Sequence, residues 1–270
     1  MRVFGGLIQV RNLEAVVNPT PDLRPSQPRL DKADASNYND IKKTILKGQV
    51  HMKKLIYDNP LACEKDVEGF VLEGQAQIAF EDGRMHLIST ADPDLGQAAN
   101  YVFWCPENFP ADVEITWEFQ PLNDVGLCIF FFAALGKNGE DIFDERLAKR
   151  TGQYQLYHSG DINAFHISYY RRRYPEERVF RTCNLRKSYG FHLTAIAGDP
   201  IPEAASATKA YQMKVVKKAN VVDFFIDDLP VLHFEDDGET YGKLLQGGKV
   251  GFRQMSPMVG AYANLKVYEI

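Results

Sequence analysis

VVDFFIDDLPVLHFED, residues 221–236, reads as two short strands, 221–226 and 229–234, closed by the turn pair Asp227-Asp228. Aromatic and β-branched residues crowd both halves, and a turn pair between two such runs is hairpin chemistry. The signature recurs outward from there. The ending GGKVGFRQMSPMVGAYANLKVYEI, 247–270, holds runs at 249–253 and 263–268 behind Gly247-Gly248, and Glu81-Asp82-Gly83 separates 76–81 from 84–88. Further runs at 70–72, 100–104, 113–119, 126–134, 164–171 and 211–217 complete the pattern. So many short strands in one chain predict an all-β sandwich of two stacked antiparallel sheets. A short helix is expected over 141–150, where Ile142, Phe143 and Leu147 recur at near-helical spacing.

The beginning of the chain reads differently. Residues 18–40 carry Pro19, Pro21, Pro25 and Pro28 among Asn, Asp, Ser and Gln, the composition of a linker or a surface strap. Residues 40–55 can be drawn as one short helix through Ile41, Ile45, Met52 and Leu55, weakened by Gly48. The expected organisation is an irregular or partly helical N-terminal extension and strap, 1–54, before one domain, 55–270.

Composition narrows the function. The 31 Lys and Arg against 36 Asp and Glu leave a net charge of -5, which argues against a generally basic nucleic-acid binder. No window approaches the roughly 18 apolar residues of a membrane span. Gln9, Arg11 and Glu14 interrupt Leu7, Ile8 and Val10 before they make a secretion signal, so a cytoplasmic location is expected. Cys63, Cys105, Cys128 and Cys183 form no ligand pair or redox motif. A homo-oligomer is left open.

The 221–236 hairpin and the 247–270 ending resemble the paired closing strands of concanavalin-A-like jelly-roll domains. LIYDNPLACEKDVEGFVLEG at 55–74, YHSGDINAFHISYYRRR at 157–173 and RTCNLRKSYGFHL at 181–193 resemble the bacterial YesU-like family, a domain of unknown function. The resemblance covers about residues 55–270, and the extension departs from it. It implies a jelly roll associated with bacterial use and degradation of acidic plant or algal polysaccharides, among fold relatives that include lyases, glycoside hydrolases and lectins. No reaction follows from the fold alone.

The densest polar and aromatic stretch runs from Asp161 to His192. Alternation in a strand places His166, Ser168, Tyr170 and Arg172 on one face and Phe165, Ile167 and Tyr169 on the other. His166 can take a proton near neutral pH and Tyr170 can donate one to a leaving oxygen, although the two stand about 13 Å apart along a strand. Both residue types also serve merely to pack and to bond neighbouring backbone. Arg171, Arg172, Arg173, Arg178, Arg181, Arg186 and Lys187 face only Glu176 and Glu177 locally, an excess of +5 that asks for an anion. A planar guanidinium can clamp a uronate carboxylate and stabilise charge developing beside it. Arg186 and Lys187, beside Asn184 and Ser188, are the preferred binding residues, with Arg172, Asp161 and Ser168 next. Against this, arginine-rich loops often only pair with acidic neighbours.

Hydrolysis would instead need two carboxylates about 5 to 10 Å apart, for which Glu114, Glu118 and Asp124 are the alternatives. Trp104 offers a flat surface for sugar stacking, whereas Trp117 is assigned to the core. Arg253 and Gln254 must face opposite ways, so only one can reach a groove. His158, His166 and His192 lack ligand spacing, and no cofactor is expected. Asp236, Asp237 and Glu239 offer hard oxygens for a structural Ca2+ without EF-hand spacing. The expected partner is an acidic oligosaccharide, met by a β-eliminating lyase, by a glycoside hydrolase, or by a noncatalytic glycan-binding protein.

Overall fold

The computed structural model describes residues 53–270, and within them the chain is an all-β jelly-roll sandwich of two antiparallel sheets. The strands are β1 Lys54–Asn59, β2 Val71–Glu73, β3 Ala76–Glu81, β4 Arg84–Ser89, β5 Tyr101–Trp104, β6 Val113–Pro121, β7 Leu127–Gly136 and β8 Ile162–Tyr169. They continue as β9 Thr182–Ser188, β10 His192–Gly198, β11 Tyr211–Lys218, β12 Val221–Ile226, β13 Leu229–Glu235, β14 Lys249–Met255 and β15 Val259–Glu269. One sheet runs β13-β12-β11-β6-β15-β4-β3, with β1 also on β15. The other runs β10-β9-β8-β7-β14-β5-β2. Among the described residues no helix is long and apolar enough to cross a membrane. The four cysteines are free.

The two central strands show how sequence sets the layers. In β6, Val113, Ile115, Trp117 and Phe119 are buried while Glu114, Thr116, Glu118 and Gln120 alternate outward, as expected for a strand with one covered face. β7 is buried on nearly every residue because both of its faces are covered. Cys128, Phe130 and Phe132 enter the core between the sheets. Leu127, Ile129 and Phe131 enter a second apolar cluster on the outer face of the seven-stranded sheet, with Trp104, Ile142 and Tyr157. The β7–β8 connection folds back over that face.

The expected helix at 141–150 is absent. Asp141 Oδ1 accepts from the Phe143 amide and Asp144 Oδ1 from the Arg146 amide, both at 2.9 Å. Such short-range carboxylate bonds hold the backbone in turns and compete with helix formation. Ile142 still reaches the second cluster, so the apolar spacing marked packing and not a helix. The helical pieces lie elsewhere, as α1 Gln155–His158 and α2 Pro175–Val179. The helix drawn over 40–55 falls outside the described residues except at its end, where Lys54 and Leu55 belong to β1. The rest of the extension lies outside them as well.

Candidate functional site

Two rows of paired residues cross the outer face of the seven-stranded sheet. One row is Val102, Arg253, Ile129, Ser168 and Asn184, and the next is Trp104, Gly251, Phe131, His166 and Arg186. Gly251 is required where it stands, because a Cβ there would lie 2.4 Å from the Trp104 ring. At the β2 side the rows disappear under the β7–β8 connection. Trp104 packs on Phe131 and Tyr157, and its indole donates to Glu73 at 2.9 Å. Glu73 is held in turn by Arg150 at 2.7 Å. Trp104 therefore lies on this outer face but is fully buried, which makes it a packing residue of the second cluster and not a surface for sugar stacking.

Toward β8 and β9 the face becomes cationic and aromatic. Tyr154, just before α1, sets its ring edge-on to both His158 and His166, at 4.9 and 5.5 Å. The Arg253 guanidinium stacks 4.8 Å from the Tyr154 ring centroid, and that of Arg186 lies 3.8 Å from the Phe191 ring centroid. Arg253 is wholly buried. Its Nη2 donates to the Gly152 carbonyl at 3.0 Å and to Gln97 Oε1 at 3.2 Å. Its Nε and Nη1 have no partner, and no carboxylate pairs with it among the described residues. Burial pushes its pKa down to about 10, so the charge persists at neutral pH.

His166 is equally buried, and neither ring nitrogen has a partner among the described residues. Burial first, and the Arg186 charge second, hold it well below the usual histidine range. His158 shifts the same way for the same leading reasons. A histidine that stays neutral when folded but takes a proton when unfolded favours the unfolded chain in acid. Its contribution is complete above a pH of about 6.5 and is lost below it, by at most about 1.4 kcal/mol per pH unit. Urea unfolding of wild type is therefore expected to show a larger stability drop between about pH 7.5 and about pH 5.5 than His166→Phe does. Equal drops would place the acid sensitivity elsewhere.

The remaining sequence candidates scatter. Ser168 and Asn184 border the cationic face, and Asn184, with its amide turned to suit its neighbours, accepts from Arg171 at 3.1 Å. Arg171 also pairs with Glu177 at 2.7 Å. Tyr170 does not share the face of His166. Its backbone takes a positive φ of 47°, ending the alternation and sending the ring into the inter-sheet core, where its hydroxyl donates to Asp124 at 3.0 Å. A sheet thus separates Tyr170 from His166, and burial pushes its phenol well up.

Arg172 and Lys187 also leave the face. Arg172 is buried against Asp199, and Lys187 lies 2.7 Å from Asp236. Much of the local cationic excess is therefore neutralised by partners far away in sequence. Asp161 accepts from the Ala148 amide and ties down the covering connection. Glu114 and Glu118 point from the outer face of the other sheet, paired with Lys53 and Arg84, and stand about 13 Å apart along β6. Asp124 serves Tyr170 and the Ala204 amide.

No three His, Cys, Asp or Glu side chains converge as metal ligands among the described residues. Asp236 faces Lys187, and Asp237 accepts from the amides of Glu239 and Thr240. Arg253 and Tyr154 are the residues that sequence reasoning underweighted. Arg253 carried a usable signal, since a charge directly after the apolar residues Val250 and Phe252 is unusual for a central strand. Tyr154 sits in a connection with no periodicity and carried none.

Comparison with known proteins adds relatives. The family described as a domain of unknown function, DUF1961, matches residues 54–267. The chain is 51% identical over 214 residues to the uncharacterized protein YesU of Bacillus subtilis, covering 79% of this chain and 95% of that one. A crystal structure of a protein of unknown function with a galectin-like fold from Bacillus subtilis superposes with a TM-score of 0.77 at 51% identity, covering 80% of this chain and 96% of that chain. The carbohydrate recognition domain of Emp46p, in its metal-free form, superposes with a TM-score of 0.51 at 11% identity, covering 79% and 97% of the two chains. Bacillus licheniformis β-glucanase gives 0.50 at 11% identity, covering 80% and 98%. These last two likenesses concern the fold.

Proposed function

The chain belongs to the DUF1961 family, and from that premise we propose that it binds an acidic, uronate-containing oligosaccharide on the outer face of its seven-stranded sheet, over Arg253, Tyr154, His166 and Arg186. The observation that carries this reading is the charged Arg253, buried against the Tyr154 ring with two donor atoms unpartnered, which a carboxylate would reach by displacing that ring. A buried cation without an anion costs several kcal/mol, and a tyrosine face returns only about 2 kcal/mol of it. A sugar carboxylate would complete the site with charge-assisted hydrogen bonds. Tyr154 and Phe191 supply rings for the sugar, and Ser168 and Asn184 supply polar contacts at the border. The carbohydrate-handling relatives of the fold are consistent with this reading and do not specify it.

A second reading, β-elimination, is favoured by His166. If the Tyr154 ring that packs on both residues moves aside, a neutral imidazole with both nitrogens unpartnered would accept the proton next to a carboxylate neutralised by Arg253, while the Tyr154 hydroxyl would return a proton to the leaving oxygen. Hydrolysis by two carboxylates has less support. Among the acids on the elements around this face, Glu73, Asp161 and Glu177 are each engaged by an arginine or a backbone amide.

Arg253→Met separates function from folding. Replacing a buried unpaired charge with an apolar chain of similar length is expected to leave stability unchanged or raised by about 1 kcal/mol. The same change is expected to weaken uronate-oligosaccharide binding at least tenfold, or about 1.4 kcal/mol, by calorimetric titration. Neutral oligosaccharides are expected to bind weakly to both proteins. A destabilised variant that binds like wild type would show Arg253 to be a structural residue. Mixing protein with oligogalacturonides and following unsaturated uronate by ultraviolet absorbance tests elimination directly.

A further inference from the structure

A cavity of about 480 Å3 opens where β7 and β9 end and β8 begins, beneath the 240–247 loop. Its volume falls in the range of about 300–1,000 Å3 typical of small-molecule sites. Gly248 seats that loop. It has a φ of 141°, and a Cβ there would lie 2.5 Å from the Ala134 carbonyl, so the loop is held hard against β7.

The lining is aromatic and cationic, and it includes no Asp or Glu. Tyr189 is half exposed, and Lys137 Nζ stands 3.7 Å from its ring centroid. Tyr241 packs against His192, with tilted rings 5.0 Å apart between centroids. Lys187 is already neutralised by Asp236, whereas Lys137 and Lys243 have no carboxylate partner among the described residues. Ser188 also lines the cavity, and its buried Oγ has no hydrogen-bond partner among the described residues. Two tyrosine rings, two free ammonium groups and an unclaimed hydroxyl suit a sugar ring that bears an acid group.

One wall is common to this cavity and the Arg253 face. Along residues 186–192, Arg186 and Phe191 belong to the face and Tyr189 and His192 to the cavity. The Gly190 amide fixes the bend between them by donating to the His158 carbonyl at 2.7 Å. Arg186 and Tyr189 are three residues apart, at most about 10 Å of extended chain.

We propose that the cavity lined by Tyr189, Tyr241, Lys137 and Lys243 is an extension subsite that takes a further uronate unit of the oligosaccharide held over Arg253. This rests on the acidic-saccharide reading of that face. It predicts an affinity that grows with chain length, and a set of residues that senses only the longer chains.

The test is calorimetric titration with oligogalacturonides of two to six units against wild type, Tyr241→Ala, Lys137→Ala with Lys243→Ala, and Arg253→Met. Wild type is expected to gain tenfold or more between the shortest and longest chains. The Tyr241 and double-lysine variants are expected to bind the shortest chain like wild type and to lose most of that gain. Arg253→Met is expected to weaken every length. Length-independent binding by wild type, or variants that keep the full gain, would overturn the subsite while leaving the Arg253 reading in place. Binding of no oligogalacturonide by wild type would overturn both. Circular dichroism confirms that each variant is folded.

Discussion

Trp117→Ala is expected to lose about 3–5 kcal/mol of stability, the range for truncating a large aromatic in a packed core. Trp117 is fully buried at the middle of β6 and stacks 4.0 Å from Phe130 of the facing sheet. Tyr169, Phe224 and Phe252 surround it at 6.2 to 6.5 Å between ring centroids. Those rings come from β8, β12 and β14, so the cavity left behind would touch both sheets and could not close by moving one of them. Trp117→Phe is expected to cost markedly less. Among the described residues the indole N–H makes no hydrogen bond of good geometry, so phenylalanine keeps most of the stack at little polar cost. Urea unfolding of the two variants would measure both, and an alanine variant within about 1 kcal/mol of wild type would mean that the sheets are not coupled through this residue.

The same residue shows why the fold was legible in the sequence. Val113, Ile115, Trp117 and Phe119 alternate with polar residues, and alternation directly reports one covered face. β9 was missed for the opposite reason. Thr182–Ser188 carries Arg186 and Lys187 side by side and reads as a charged loop, although they sit on opposite faces of a buried strand. Arg186 points to the outer face and Lys187 inward to Asp236, almost fifty residues away. β10 follows as an edge strand with exposed Leu193 and Ile196, where there is little burial to impose a pattern. Periodicity reports burial and is silent about partners distant in sequence.

The site was legible in part for that reason. His166, Ser168 and Arg186 lie in adjoining rows because strand parity and sheet register are local consequences of the chain. Tyr170 left that face through one left-handed residue, which no alternation rule anticipates. Arg253 came into the site through the pairing of β14 between β5 and β7, strands separated from it by more than a hundred residues. What the composition of 171–187 signalled as one cationic patch resolves into Arg171, Arg172 and Arg181 with acids assigned to them, Arg173 and Arg178 on backbone carbonyls, and Arg186 beside a ring.

Asp199→Ala tests that partition, and its expected cost is about 3–5 kcal/mol. Asp199 accepts from the amides of Tyr170 at 2.8 Å and Ile201 at 3.0 Å, and the Arg172 guanidinium lies 3.6 Å away. Neither side chain of the pair reaches water to a useful extent, at 2% and 0% exposure. Burial is the largest influence on Asp199 and raises its pKa despite the Arg172 charge, so desolvation outweighs attraction within this pair. Such a pair adds little net stability, yet removing one member strands the other as a buried charge. Replacing both, as Asp199→Ala with Arg172→Met, is therefore expected to cost less than the two single losses added together, and urea unfolding of both singles and the double would expose the non-additivity. Additive losses, or an Asp199→Ala variant that unfolds like wild type, would mean that Arg172 can swing to solvent. In that event Arg172 would again be a candidate for the sugar carboxylate, and Arg253 would have a competitor for it.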